Sequence, residues 1–453
     1  MTDISTVKNQ KNNGWRQELR APSMPEVHSS VVVPHGAGFW RKLLAFTGPG
    51  LMVAVGYMDP GNWATDLSGG AKFGFALLHV ILISNFMAIL LQHLALKLGI
   101  VTGRDLAQAC RDHYSKPVAM VLFVLCEIAI VACDLAEVIG SAIALHLLFG
   151  IPLIWGVIIT ALDVLLILML QQRGFRTIEV LVGSLIFIIG GCFAYQLIVA
   201  SPDPNAVLAG LVPTTEVITN PAMLYVAIGI LGATVMPHNL YLHSSIVQTR
   251  AFDRSSSGKA MAIKYATIDS TWSLLCAFFV NAAILIVAAQ VFHGGPHQDI
   301  ADINDAYRLL SPVLGDAWAS TLFAIALLAS GQNSTLTGTM AGQIVMEGFL
   351  NLRLRPWVRR MLTRALAIIP AAFVAAKYGE HGIGSLLVLS QVILSLQLSF
   401  AVVPLIQFTT DKIKMDEFVV QGWIKFVAWV VAIVIMGLNG YLLFYTIKEF
   451  LIG

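Results

Sequence analysis

The sequence predicts an all-α polytopic membrane protein of eleven transmembrane helices, two inverted five-helix halves followed by an eleventh helix. Three observations carry that prediction: the composition, the succession of apolar runs, and two proline-bearing interruptions five spans apart. Of 453 residues, 57% are hydrophobic and only 12% charged, with a mean hydropathy of +0.77. Soluble domains carry about 25% charged residues, so most of this chain must face lipid or other apolar helices. The net charge of +2, with no basic run interleaved with aromatics, gives no reason to expect a nucleic-acid partner. The five cysteines (Cys110, Cys126, Cys133, Cys192, Cys276) have no metal-ligand spacing and read as buried, reduced thiols. Residues 1–42 are polar and the first apolar run is too long for a signal h-region, so no cleaved signal is expected.

A membrane-spanning helix needs about 20 mostly apolar residues. Runs that qualify lie at 43–71, 75–98, 117–147, 152–171, 177–200, 221–250, 263–293, 308–350, 358–377, 383–409 and 420–450. They divide the chain into a cytoplasmic tail (1–42), a first repeat (43–200), a second repeat (221–409) and a last helix (420–450). The eighth run is long and has a polar middle, "SGQNSTLTG", which should face protein; the glycosylation pattern Asn333-Ser334-Thr335 within it lies too deep to be modified. Positive residues favour the cytoplasmic side. With the N-terminus inside, only Lys72, Arg308, Lys377 and Lys448 of the 28 basic residues fall on the other face. The expected topology is N-terminus cytoplasmic and C-terminus external, in the cell inner membrane.

The first span is interrupted by Asp59-Pro60-Gly61-Asn62 and the sixth by Met236-Pro237-His238-Asn239. Proline removes an amide donor and clashes with the preceding turn, so each motif should unwind its helix. A single such motif reads equally well as an ordinary proline kink. The pair, at repeat-related positions in oppositely directed spans, points instead to an inverted-repeat transporter with its site at the bilayer midplane. Unwound backbone at that depth must be buried in protein or line a cavity. An intramembrane aspartate costs about 2.5–3.5 kcal/mol on insertion scales and marks a functional site. Asp59 offers an anionic oxygen, Asn62 a neutral one, and the half-helices ending near Gly56 and Ala233 offer freed carbonyls: a cation site. Met236 adds a thioether, which suits a transition metal and not Mg²⁺ or Ca²⁺.

These two motifs resemble those of the Nramp family of proton-coupled divalent metal transporters, and the resemblance runs from about residue 40 to 450. It implies the leucine-transporter fold, with broken helices 1 and 6. It also implies metal ligation by Asp59, Asn62 and Met236, with the carbonyls of Gly56 and Ala233 and the side chain of Gln391 joining in some states. The substrates implied are protons and Mn²⁺, or Fe²⁺, Co²⁺ or Cd²⁺, as in bacterial manganese transporters, with no resident cofactor. The protein is expected to be a monomer and not an enzyme.

The third span carries Glu127, Asp134 and Glu137, which at 100° per residue share about 80° of arc. Three acids on one face of an apolar helix cannot look at lipid. They read either as a proton route or as partners of Arg359 and Arg360 at the start of the ninth span, and the two readings are compatible. The resemblance implies that Asp59 exchanges protons with His238 and these acids. His243, about 140° further round the helix than His238, reads as unrelated to it. Asp269 is a candidate partner of Arg250 in an inner gate; Asn239, Gln92, Asn281 and Asn439 are assigned to gate or pathway. Asp163 has no assigned role. A sodium-coupled importer of a small organic solute would share the fold, but Asp59 would repel a substrate carboxylate and Met236 would serve no purpose. A metallohydrolase would need H-E-x-x-H, which does not occur.

Overall fold

The computed structural model describes residues 14–160, 174–295, 303–352 and 383–452, apart from 20 and 35, together with 358, 365–366, 368–370 and 372–373. Among these, seven helices are long and apolar enough to cross a membrane. Most of the ninth expected span, much of the fourth, and with them Arg359, Arg360 and Asp163, lie outside the described residues.

The first span is divided twice. Helix α1 (Phe39–Phe46) ends at Thr47, and α2 (Pro49–Gly56) begins after Gly48, whose φ of 142° only glycine adopts without strain. Helix α3 (Pro60–Phe73) starts at the expected proline. The sequence reading of one run over 43–71 with a single break therefore misses the hinge at Gly48. Helices α4 (Leu78–Thr102), α5 (Leu106–His113), α6 (Lys116–Phe149), α7 (Leu153–Thr160) and α8 (Phe175–Ala200) complete the first half. In the second half, α9 (Pro221–Thr234) and α10 (Pro237–Ile246) are the two parts of the sixth span, and α11 (Ser256–Phe292) is the seventh.

The eighth expected span, 308–350, is also corrected. Helix α12 (Ile303–Leu314) stops before Gly315, at φ 66°, and α13 (Ala319–Leu350) is separately capped by Asp316, which accepts from the backbone N–H groups of Trp318 (2.9 Å) and Ala319 (3.0 Å). Helices α14 (Ile383–Thr409) and α15 (Gly422–Ile452) close the chain.

Packing follows side-chain size. Helix α11 lies against α2, α3 and α4; α6 packs on α13 and α14; and α9 rests on α14. Gly61 permits the closest approach at the break, since a Cβ there would sit 1.7 Å from Gln391 Nε2. Outward faces carry Phe187 (84% exposed), Ile198 (75%) and Phe279 (68%), a surface that only lipid would cover without cost. A two-residue parallel ladder joins β1 (Val31–Val32) in the N-terminal segment to β2 (Arg250–Ala251), with Val31 opposite Arg250.

Candidate metal centre

The first break is a helix start as much as a helix end. Asp59 is extended (φ −68°, ψ 165°) and caps α3: its Oδ1 accepts from Asn62 N at 2.7 Å, while Pro60 occupies the first helical position, where an N–H would go unused. The same geometry turns the Asn62 side chain inward. Its Nδ2 donates to Asp59 Oδ1 (2.7 Å), to the Ala233 carbonyl (3.0 Å) and, at 3.4 Å, to the Gly56 carbonyl. Three oxygens, two from the first break and one from the second, thus converge on one donor group. Asp59 Oδ2 is buried without a hydrogen-bond partner, and both side chains are at most 1% exposed. Turned through 180°, the Asn62 amide would present its own oxygen to the same point, adding a neutral oxygen to the carboxylate and the two carbonyls.

The second break supplies the opposite wall. Helix α9 ends at Thr234, freeing the Ala233 carbonyl; Val235 and Met236 are non-helical and Pro237 begins α10. Met236 is fully buried, in a cluster with Ala129, Ala132 and Cys133 of α6 and Leu394 of α14. Gln391 packs against Gly61 and its Oε1 is buried without a partner. Among the described residues no three His, Cys, Asp or Glu gather as a metal cluster; the convergence here is of one carboxylate with amide and carbonyl oxygens.

On α6, Asp134 (5% exposed) and Glu137 (1%) are buried, whereas Glu127 is only partly so. His238 Nε2 lies 3.8 Å from Cys133 Sγ, which donates to Glu137 Oε1 at 3.5 Å. A thiol therefore stands between the histidine and the glutamate assigned to one route. The sequence reading of Cys133 as a buried, reduced thiol gives it no place at the site; its position one turn before Glu137 was the available signal.

The expected pairing of Asp269 with Arg250 is not the one formed. Arg250, fully buried, donates from Nη1 to Glu179 Oε1 at 2.6 Å, from Nε to the Ala45 carbonyl (3.0 Å) and from Nη2 to the Thr47 carbonyl (2.9 Å). Asp269 instead accepts from the backbone N–H groups of Gly50 (2.7 Å) and Gly48 (3.3 Å). The buried first amides of α2 have no acceptor within the helix, and Asp269 reaches them across the glycines. Glu179, absent from the sequence-based site, bonds both Arg250 and, at 2.9 Å, Arg176 three residues before it; an acid inside an apolar run was the available signal.

His243 is likewise better connected than expected: its Nδ1 is 3.0 Å from Gln92 Oε1, and Gln92 Nε2 donates to Tyr57 Oη at 2.8 Å. The partner of His243 lies on α4, beyond the reach of an angular comparison within its own helix. Asn281 Nδ2 donates to the Tyr57 carbonyl (2.7 Å) and Asn62 Oδ1 (3.3 Å), so it braces the first break. Asn239 Nδ2 reaches the Val53 carbonyl at 3.5 Å. Asn439 is not brought to the site; it exchanges hydrogen bonds with Ser395, tying α15 to α14. Asp66, one helical turn beyond Asn62, is 1% exposed with Oδ2 unpartnered. Its four-residue spacing from Asn62 was visible in the sequence and unused.

The Nramp family model (natural resistance-associated macrophage protein-like) matches residues 50–445. A divalent metal cation transporter MntH of Listeria welshimeri is 63% identical over 433 residues, covering 96% of this chain and 97% of the relative. The MntH of Mesorhizobium japonicum is 62% identical, covering 95% of each. Among solved structures, the Eremococcus coleocola manganese transporter aligns with a TM-score of 0.86 at 45% identity, covering 92% of this chain and 90% of that one. MhsT in complex with L-phenylalanine aligns with a TM-score of 0.61 at 14% identity, over 86% of this chain and 98% of its own, a likeness of fold alone. With the family model spanning both breaks and nearly the whole membrane region, this chain belongs to the Nramp family.

Proposed function

We propose that the protein imports divalent transition-metal ions, Mn²⁺ foremost and also Fe²⁺, Co²⁺ and Cd²⁺, together with protons, by alternating access. The observation that carries the reading is the convergence of Asp59 Oδ1 and the carbonyls of Gly56 and Ala233 on the Asn62 amide, beside a buried, unpartnered Asp59 Oδ2. One carboxylate among neutral oxygens suits a cation, and the buried Met236 of the second break offers the soft sulfur that disfavours Ca²⁺ and Mg²⁺. Gln391, packed on the first turn of α3, completes the ligand set in part of the cycle.

Asp59, His238, Cys133, Glu137 and Asp134 form the route for protons, with Glu127, Arg359 and Arg360 further along it. Metal entering the site displaces the Asn62 donor and, with it, any proton on Asp59, which gives the two cargoes a common carboxylate. Gln92, Asn239, Asn281, Arg250 and Asp269 belong to the gates. The protein acts as a monomer in the cell inner membrane, N-terminus cytoplasmic and C-terminus external. The alternative of a sodium-coupled organic solute carrier rests on fold likeness at 14% identity and leaves the buried Asp59 facing a substrate carboxylate.

The test is Mn²⁺ uptake into proteoliposomes with an internal pH dye and a tenfold excess of Ca²⁺ or Mg²⁺ outside. Uptake that resists both competitors and acidifies the lumen is the expected result. Uptake without acidification would remove the proton route, and no uptake would remove the metal.

A further inference from the structure

The N-terminal segment, which the sequence reading left as a polar tail, lies across one end of the helix bundle. Trp15 is 6% exposed, with Arg104 Cζ 4.7 Å and Lys414 Nζ 5.1 Å from its ring centroid, and its ring meets that of Phe408, at the end of α14, at 5.5 Å. Arg16 N donates to the Asp112 carbonyl at 2.8 Å. Ser23 Oγ donates to Asp105 Oδ2 (2.6 Å), Met24 N to Glu347 Oε2 (2.9 Å), and Gln343 Nε2 to Glu26 Oε1 (3.3 Å). Ser29 N then donates to the Gln248 carbonyl at 3.0 Å, and β1 pairs with β2 beside Arg250.

The segment therefore bridges two groups of elements. Residues 15–19 and 21–26 grip α5 and the ends of α13 and α14, while 29–33 grip the end of the broken sixth span and lead into α1 and α2. In a carrier whose broken helices pivot at Gly48 and at the two prolines, these groups must separate before that face opens. The grip combines these polar bonds, one every few residues, with a few buried apolar side chains, Trp15, Met24, Val31 and Val33. Met24 and Ser29 are held at φ 51° and 52°, a left-handed conformation unfavourable for residues other than glycine. A segment whose described residues have no secondary structure beyond one two-residue ladder, held in strained backbone by a few anchors, can be released by losing those anchors.

We infer that residues 15–33 are an intramolecular latch that holds the Arg250 face of the transporter shut and releases when that face opens. The inference rests on the transporter reading above. Trp15 and Met24, both buried, are its two anchors.

The experiment uses the full chain in detergent, so membrane orientation does not enter. Ser245, 7% exposed and lining a small cavity under Met24, is replaced by cysteine as a reporter. Its maleimide labelling rate is followed by peptide mapping in the otherwise native chain and in Trp15→Ala, which leaves Met24 over the reporter, with a thermal melt run alongside. Labelling at least tenfold faster in Trp15→Ala, with the melt retained and an intermediate rate for Trp15→Phe, is expected. Equal rates would overturn the latch. Faster labelling accompanied by a collapsed melt in both variants would also overturn it, since the segment would then be a folding element. Because labelling needs no metal, failure of Mn²⁺ uptake would count against the proposed cargo and leave this result standing.

Discussion

Glu179→Gln tests the closed face at its most buried charge pair. Glu179 is 3% exposed and Arg250 not at all, and their oxygen and nitrogen lie 2.6 Å apart. The second partner, Arg176 at 2.9 Å, is 46% exposed and adds little once solvent screening is counted. Removing one member of a buried pair costs about 3–5 kcal/mol, because the other charge stays buried. Arg250 keeps the Ala45 and Thr47 carbonyls and the Thr249 hydroxyl (2.9 Å), and glutamine still offers one acceptor oxygen. The lower end applies, about 3 kcal/mol, or roughly a hundredfold in an equilibrium constant. That loss falls on the closed face, where the pair joins α8 to β2 and to the α1–α2 hinge. In the Ser245→Cys reporter, labelling should quicken by up to that factor while the chain still melts cooperatively. Arg250→Gln/Glu179→Gln should recover part of the loss, since no bare charge remains. Labelling within twofold of the parent in Glu179→Gln would refute the assignment of this pair to closure.

Asp59→Ala should abolish Mn²⁺ binding, and calorimetry returning the parent affinity would remove Asp59 from the site. Met236→Ala should keep part of the Mn²⁺ uptake but lose discrimination against Ca²⁺; unchanged competition by Ca²⁺ would show that the sulfur is packing only. Glu137→Gln should reduce proton flux more than Mn²⁺ binding, and equal loss of both would indicate a structural role. The latch should respond to acid through Asp105, which caps α5, accepts from Ser23, and faces Gln108 and the Arg111 charge. Burial pushes its carboxyl from the ordinary 3.8 up to about 6. Ser23 donates to the ionised carboxylate and holds its pKa down, so losing that bond on release lets the pKa rise: the latched form favours the carboxylate, and latching weakens as pH falls through about 6. Labelling at Ser245→Cys, corrected for thiolate fraction, should quicken as pH falls through about 6, and Asp105→Asn should flatten the profile.

The breaks at Pro60 and Pro237 fall where the motifs put them, because a missing amide and a ring clash act locally. Proline alone does not mark a break: Pro49 opens α2 just after Gly48, whereas Pro312 and Pro404 sit inside α12 and α14. At Gly315 no proline stands beside the break, and the backbone φ of 66° shows it. Partner choice was equally hidden. Arg250 had Asp269 and Glu179 in reach, and which acid it takes depends on how α8 packs against α2. The His243–Gln92–Tyr57 chain joins three spans, and no single-helix geometry contains it. The N-terminal segment has no periodicity at all, since contacts with other elements hold it in place.

On the proposed reading, the site at Asp59 and the face beside Arg250 share helix α2, and this accounts for where the polar residues lie. Helix α2 is only eight residues long, with Asp269 on its first amides and Asn239 and Asn62 at its last carbonyls. A change at Asn62, whose donor must leave for a cation to bind, alters the acceptors at one end of a short rigid rod. The other end is held by Asp269, and the Thr47 carbonyl just before it by Arg250. Each of those bonds is worth about 0.5–3 kcal/mol net, comparable to the few kcal/mol that separate states a ligand must switch between. An apolar seal of the same area would give no such graded release. On the proposed reading, polar contacts at both ends of α2 let cation binding at Asp59 act on the face next to Arg250.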